Sequence, residues 1–291
     1  VTRTLGNSVK VNSAFFTEHF ADILPFCGGL EGLPNFMYGS YTGIAMSLFM
    51  LIPSFAGMTD KTSSPAIAAA WEIRDSSLIS ENITMQLRAC SLIGCPACFG
   101  AAALAEPILR MLYRSREAEV TVCLDSFVIL CMGGLFMVLS GAMFGIFQAV
   151  GKAHIPLILM ICSVAVKLVL NPILISLPQL SIAGAAVSSA AGYVIMTAGA
   201  CIALHRIIPS GVSVFRAVFP AALCGASCGV AAGFSYNFMT RYLDSNLGVI
   251  LSVGIGAFVY VILLILTGNF RAGGIIKRKI EKNFKNPLKN K

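Results

Sequence analysis

Long apolar stretches alternate with short polar punctuation along this chain, and that pattern lays out its elements. Apolar runs occupy Phe36–Gly57, Ala89–Leu112, Val120–Phe144, Ile155–Leu177, Ile182–Leu204, Val214–Ser235 and Leu247–Thr267. A helix of about 20 such residues, rising 1.5 Å each, crosses a hydrocarbon core of about 30 Å. The pattern predicts an all-α, polytopic membrane helix bundle with seven spans. Polar residues break the first run at Met58–Ser64, before a short apolar continuation at Pro65–Trp71. Residues 72–88 read as a polar loop, and a short turn around Pro178 and Gln179 joins the fourth and fifth spans. Residues 1–35 are ambiguous: Ala14–Leu30 is partly apolar but contains Glu18, His19, Asp22 and Pro25.

Small residues refine the picture. Gly184-Ala-Ala, Ser188-Ser-Ala-Ala-Gly192 and Gly225-Ala-Ser-Cys-Gly229 let helices approach closely, so a tight bundle is expected. Pro53, Pro96, Pro107, Pro172 and Pro220 lie in or at the ends of spans, where neighbours or water satisfy the freed carbonyls.

Composition agrees: 57% of the 291 residues are apolar and 12% charged, against about 25% charged in a soluble domain. The net charge of +8 is uneven. Eight basic residues follow Gly268: Arg271, Lys277, Arg278, Lys279, Lys282, Lys285, Lys289 and Lys291. Directly after a span, such a tail reads as a cytoplasmic anchor against anionic lipid, through Lys277, Arg278, Lys279 and Lys282, and not as a nucleic-acid patch. With the C-terminus inside, the inner loops also hold Lys61, Arg74, Arg88, Lys152, Arg206 and Arg216, while the outer ones hold Arg110, Arg114, Arg116 and Arg241. The positive-inside rule favours this topology, and it mildly favours an eighth, degenerate span within residues 14–33, which would bring Arg3 and Lys10 inside.

Most of the ten cysteines sit inside apolar runs and read as packing residues. Cys95-Pro-Ala-Cys98 has redox spacing, but no βαβ pattern surrounds it and no second pair completes a zinc site. His19, His154 and His205 do not cluster. No Walker sequence, His-Glu-x-x-His or Gly-x-Ser-x-Gly occurs, so the chain does not read as an enzyme. Asn82-Ile-Thr84 matches a glycosylation sequon but falls in the expected cytoplasmic loop.

The candidate chemistry lies in three places. Lys167, the charge deep in a span, and Asn171 share a helix face at i, i+4, and an ionisable residue at bilayer depth faces protein or a water-filled cavity. The bland reading is a structural lysine paired with a carbonyl or an acid. Glu106 stands beside Pro107 near an outer span end, placed to pair with Arg110 at i, i+4; the alternative is a proton relay. Gln148, Gly151 and Lys152 mark the inner mouth between the third and fourth spans, either a turn or a headgroup contact.

Four segments resemble one family in order and spacing: Tyr38-Gly-Ser-Tyr-Thr-Gly-Ile-Ala-Met-Ser-Leu-Phe49, Leu104-Ala-Glu-Pro-Ile-Leu-Arg-Met-Leu-Tyr113, Gly145-Ile-Phe-Gln148 with Gly151-Lys152 and Pro156, and Lys167-Leu-Val-Leu-Asn171 with Ile182-Ala-Gly-Ala-Ala186. They resemble stage V sporulation protein B-like polysaccharide transporters of the multidrug/oligosaccharidyl-lipid/polysaccharide (MOP) exporter superfamily. Members usually have fourteen helices in two similar lobes. The resemblance implies that residues 36–270 form a C-terminal lobe with helices eight to fourteen, 1–35 a degenerate first helix or loop, and 271–291 a basic cytoplasmic tail. It also implies flipping of a lipid-linked oligosaccharide or polysaccharide precursor across the bacterial cytoplasmic membrane by alternating access. Lys167 and Asn171 would then bind a phosphate oxygen of the polyprenyl-pyrophosphate cargo, or stand near a coupling cation, Na+ or H+. Membrane lipid and a missing N-terminal lobe or a second copy are the implied partners. The polar Gly57–Ser64 stretch departs from the family's apolar eighth helix. A truncated non-transporting remnant or scaffold, or a drug/cation antiporter of the same superfamily, remains the alternative.

Overall fold

The computed structural model describes residues 1–208, 213–240 and 245–266. Among these every regular element is helical. Three short helices open the chain: α1 (Thr2–Val11), α2 (Ser13–His19) and α3 (Leu24–Cys27). The long first span, α4 (Leu33–Ile73), follows. Next come α5 (Ser76–Ala103), α6 (Ala105–Leu112), α7 (Glu117–Ala149), α8 (His154–Ser176), α9 (Ala183–Ile207), α10 (Val214–Met239) and α11 (Ser245–Leu266).

Among the described residues, six helices are long and apolar enough to cross a membrane: α4, α7, α8, α9, α10 and α11. A seventh crossing would be the pair α5 and α6, bent by 79° at Leu104. The chain is a multi-pass membrane helix bundle. The eighth span expected in residues 14–33 is not met. The helices there have 7 and 4 residues, far short of the ~20 that a crossing needs. Of the opening helices, α1 places Leu5 and Val9 in the core and its Ser8 Oγ donates to Ser176 O of α8, while α2 buries Phe16.

Two polar stretches expected as interruptions are helical. Residues 58–73 continue α4 past Gly57. The turn at its end is tight: Arg74 takes a left-handed φ of 58°, and Asp75 then caps α5 by accepting from Ser77 N and Leu78 N. A carboxylate N-cap with a left-handed residue before it starts a helix at once. The expected loop 72–88 is therefore mostly the first three turns of α5, and Asn82–Thr84 lies within a helix.

Helices α8, α9, α7, α5, α10 and α11 stand side by side in that order, and α4 lies in the groove between α5 and α7. Small residues set the spacing. A methyl group on Gly94 would stand 2.5 Å from Val138, one on Gly133 2.7 Å from Ala190, and one on Gly225 2.9 Å from the Cys95 backbone. These close approaches bring α5 to α7, α7 to α9 and α10 to α5. Phe49, Phe127 and Phe147 fill the core between them. The edge helix α8 is different: it buries only Pro156 and Ile175 and turns Leu157, Ile161, Val164, Leu168 and Ile173 outward, as a lipid-facing helix does.

Candidate functional site

Lys167 sits near the middle of α8, on the face turned to α9. Ser163, Lys167 and Asn171 are spaced one turn apart, so they line one stripe. Both ends of that stripe are docked. A methyl on Gly192 of α9 would stand 2.7 Å from Ser163 Oγ, and Ser188 Oγ donates to Asn171 Oδ1 at 2.6 Å. Lys167 lies half-buried between these contacts, with no hydrogen bond or ion pair among the described residues. The structural pairing offered as the bland explanation of this lysine is not found there.

Behind the stripe the interior is unusually polar. Ser188 and Ser189 are fully buried, and both donate to Ala185 O. Across from them, Tyr41 of α4 buries a hydroxyl that lacks a well-formed hydrogen bond, close to Ser189. Tyr41 opens a π-helical turn, Tyr41–Met46, in which Ser47 Oγ reaches back to Thr42 O. Such turns insert one residue into a helix and are frequent at functional sites. Tyr193 of α9 stacks on Phe49 with ring centroids 6.2 Å apart. Lys167 and Asn171 thus line the α8 side of the α8–α9 interface, where Ser188 of α9 meets Asn171. An unpaired cation halfway along a span suits a phosphate or pyrophosphate oxygen.

The other expected residues are elsewhere. Glu106 is on α6, beyond the 79° bend, where its Oε1 accepts from Arg110 Nε at 3.0 Å with both side chains about half exposed. That is a rim ion pair. Gln148 is exposed one residue before the end of α7, and its carbonyl accepts from Gly151 N, which takes a φ of 75°. That is a turn. Because α5 and α7 run antiparallel, Glu106 and Gln148 stand at opposite ends of the bundle, and neither joins Lys167. Lys277, Arg278, Lys279 and Lys282 lie outside the described residues. All ten cysteines are free thiols; Cys95 and Cys98 are buried against neighbouring helices and form no disulfide.

The sequence reading missed one pairing. Asp60 of α4 lies inside what looked like a polar interruption, yet its Oδ1 accepts from Nε2 of Gln86, a fully buried residue in what looked like a loop. The basic Lys167 is therefore not the sole charge held within a long helix of the bundle. Asp125 of α7 is also there, but exposed. A signal was present: Asp60 lies between the apolar run Phe36–Gly57 and the short apolar continuation Pro65–Trp71.

Comparison with known proteins follows the same lines. Residues 40–173 match the MatE family model. Over 214 residues the chain is 25% identical to stage V sporulation protein B of Bacillus subtilis (strain 168), covering 72% of this chain and 40% of that protein. Its fold is similar to that of the lipid II flippase MurJ in an inward closed conformation, with a TM-score of 0.60 at 15% identity over 82% of this chain and 48% of that one. It is also similar to an inward-facing multidrug resistance MATE family transporter of the MOP superfamily, with a TM-score of 0.51 at 19% identity over 74% of this chain and 52% of the other. The chain spans about half the length of these proteins or less.

Proposed function

We propose that this chain, which belongs to the MOP exporter superfamily, serves to move a lipid-linked oligosaccharide or polysaccharide precursor across the bacterial cytoplasmic membrane. The observation that carries the reading is Lys167. A half-buried cation with no protein partner among the described residues, halfway along a span, is costly unless an anion or water meets it. An anionic headgroup is the cargo that repays it. No bond is broken in this process. The headgroup exchanges water for Lys167, while the lipid tail stays in the bilayer.

Alternating access needs two bodies that rock about a shared site. The described bundle is one such body, and the second is a further lobe or another copy of this chain. In the same reading the basic tail faces the cytoplasm, and a cation, Na+ or H+, supplies the driving force. The likeness to a lipid II flippase and the 25% identity to a sporulation protein support the cargo class.

The test is flipping of a fluorescent polyprenyl-pyrophosphate glycan in vesicles, read by protection from a membrane-impermeant quencher. The full chain should raise the protected fraction above that of empty vesicles. Lys167→Met should lower the rate at least about tenfold, the loss of one charge-assisted contact, and Lys167→Arg should retain most of it. Equal rates for Lys167→Met and the wild type would refute the role of Lys167. No flipping by the wild-type chain would refute transport by it and leave the scaffold reading.

A further inference from the structure

We propose that Asp60 and Gln86, brought together over Gly145, form a binding site for a small monovalent cation, H+ or Na+. Three helices build it. Asp60 comes from α4 and Gln86 from α5, and α7 gives way at Gly145, where an added methyl would stand 3.1 Å from Gln86 Nε2 and 3.2 Å from Asp60 Cβ. Glycine at this position lets the acid and the amide meet.

Gln86 is 0% exposed. Its amide nitrogen is used twice, donating to Asp60 Oδ1 at 3.0 Å and to Ala142 O at 3.1 Å. Its amide oxygen is buried and has no hydrogen-bond partner. A buried acceptor without a donor is costly, and this one shares its carbon with the nitrogen that holds Asp60. The carboxylate is half-buried and has no basic partner: the ion pairs among the described residues are Glu106–Arg110 and Glu119–Arg116. Lys61, next on the same helix, is exposed. One negative charge and one orphan oxygen, carried by two side chains already held together, ask for a cation. A divalent ion would want more acids, and no group of three His, Cys, Asp or Glu side chains assembles among the described residues.

The groups facing Asp60 are Gln86 and Cys90 from α5 and Ala142 and Gly145 from α7; of these only Cys90 titrates. One turn on along α4, Ser64 Oγ donates to Gly145 O at 3.3 Å. Gly145 is one turn from the end of α7 at Ala149, so the site lies close to the bundle end that carries Gln148 and Lys152. An ion reaches it from the water on that side. If the ion is H+, an O–H bond forms on the Asp60 carboxylate and its charge is lost. If it is Na+, Asp60 neutralises it and the free Gln86 Oε1 ligates it. A link between this ion and cargo movement rests on the transport reading above; binding itself does not.

The test uses the purified full chain in detergent and reads its thermal midpoint, first with NaCl replacing choline chloride at fixed ionic strength, then from pH 8 to pH 5 without Na+. A saturable rise with Na+ identifies Na+, and a single-step rise on acidification identifies H+. Asp60→Asn, which carries no charge to neutralise, should show neither. Gln86→Leu keeps the acid. It should weaken Na+ half-saturation about tenfold, or move the acid step to higher pH because the donor that favours the carboxylate is gone. A wild-type chain insensitive to both ions overturns the proposal, as does an Asp60→Asn response equal to wild type. Should Asp60→Asn not fold, an unchanged half-point in Gln86→Leu overturns it equally.

Discussion

The edge helix α8 is held to the bundle mainly by α9, which makes the α8–α9 seam a place to separate polar from steric contributions. Two substitutions compare them. Asn171→Ala removes the acceptor of the 2.6 Å bond from Ser188. Gly184→Ala adds a single methyl group whose carbon would stand 2.7 Å from Leu174 C and 2.8 Å from Leu174 O. The first change deletes a hydrogen bond, but Ser188 Oγ keeps its second acceptor, Ala185 O, at 2.9 Å. No donor is orphaned, so the cost should follow the interhelical average in membranes, about 0.6 kcal/mol with a ceiling near 1.7. The second change meets backbone, which has no rotamer to move aside. It must shift the end of α8 and with it Ile175, one of two residues that α8 buries, and overpacking of this kind costs about 1–3 kcal/mol. Gly184→Ala should therefore be the more damaging, although it adds an atom and removes no bond. Unfolding by SDS in mixed micelles, followed by circular dichroism, measures both. A cycle with Ser188→Ala should return a coupling of about 0.6 kcal/mol. An Asn171→Ala cost above about 3 kcal/mol, or one larger than that of Gly184→Ala, would show that the polar pair holds the seam and refute the steric account.

Further outcomes follow from local geometry. Gly151→Ala should destabilise by about 1 kcal/mol in the same titration, because a φ of 75° is strained for any residue with a Cβ. Glu106→Gln should change stability by no more than about 0.5 kcal/mol, since its ion pair with Arg110 is solvent-exposed at i, i+4; its flipping rate should match wild type. Cys95 and Cys98 should react with a maleimide only after unfolding, because both thiols are buried.

Hydropathy alone was enough to read the class of this protein and most of its helices. Runs of about 20 apolar residues have no stable fate in lipid except helices that satisfy their own backbone, and the spans from Val120 to Leu204 were read within a turn or so at most of their ends. Asp60 and Gln86 were invisible for a related reason. A window average sees Met58–Ser64 and residues 72–88 as polar, and it cannot see the Asp75 cap that starts α5 or the partner that each buried polar group finds 26 residues away. Lys167 and Asn171 were legible because helical spacing places them on one face. That Asn171 is tied to Ser188 while Lys167 is left without a partner among the described residues was decided by the packing of α8 on α9. Linear order fixes which residues share a helix face. Which faces meet depends on where glycine lets helices approach, and that is settled only when Gly192 meets Ser163 and Gly145 meets Asp60 and Gln86.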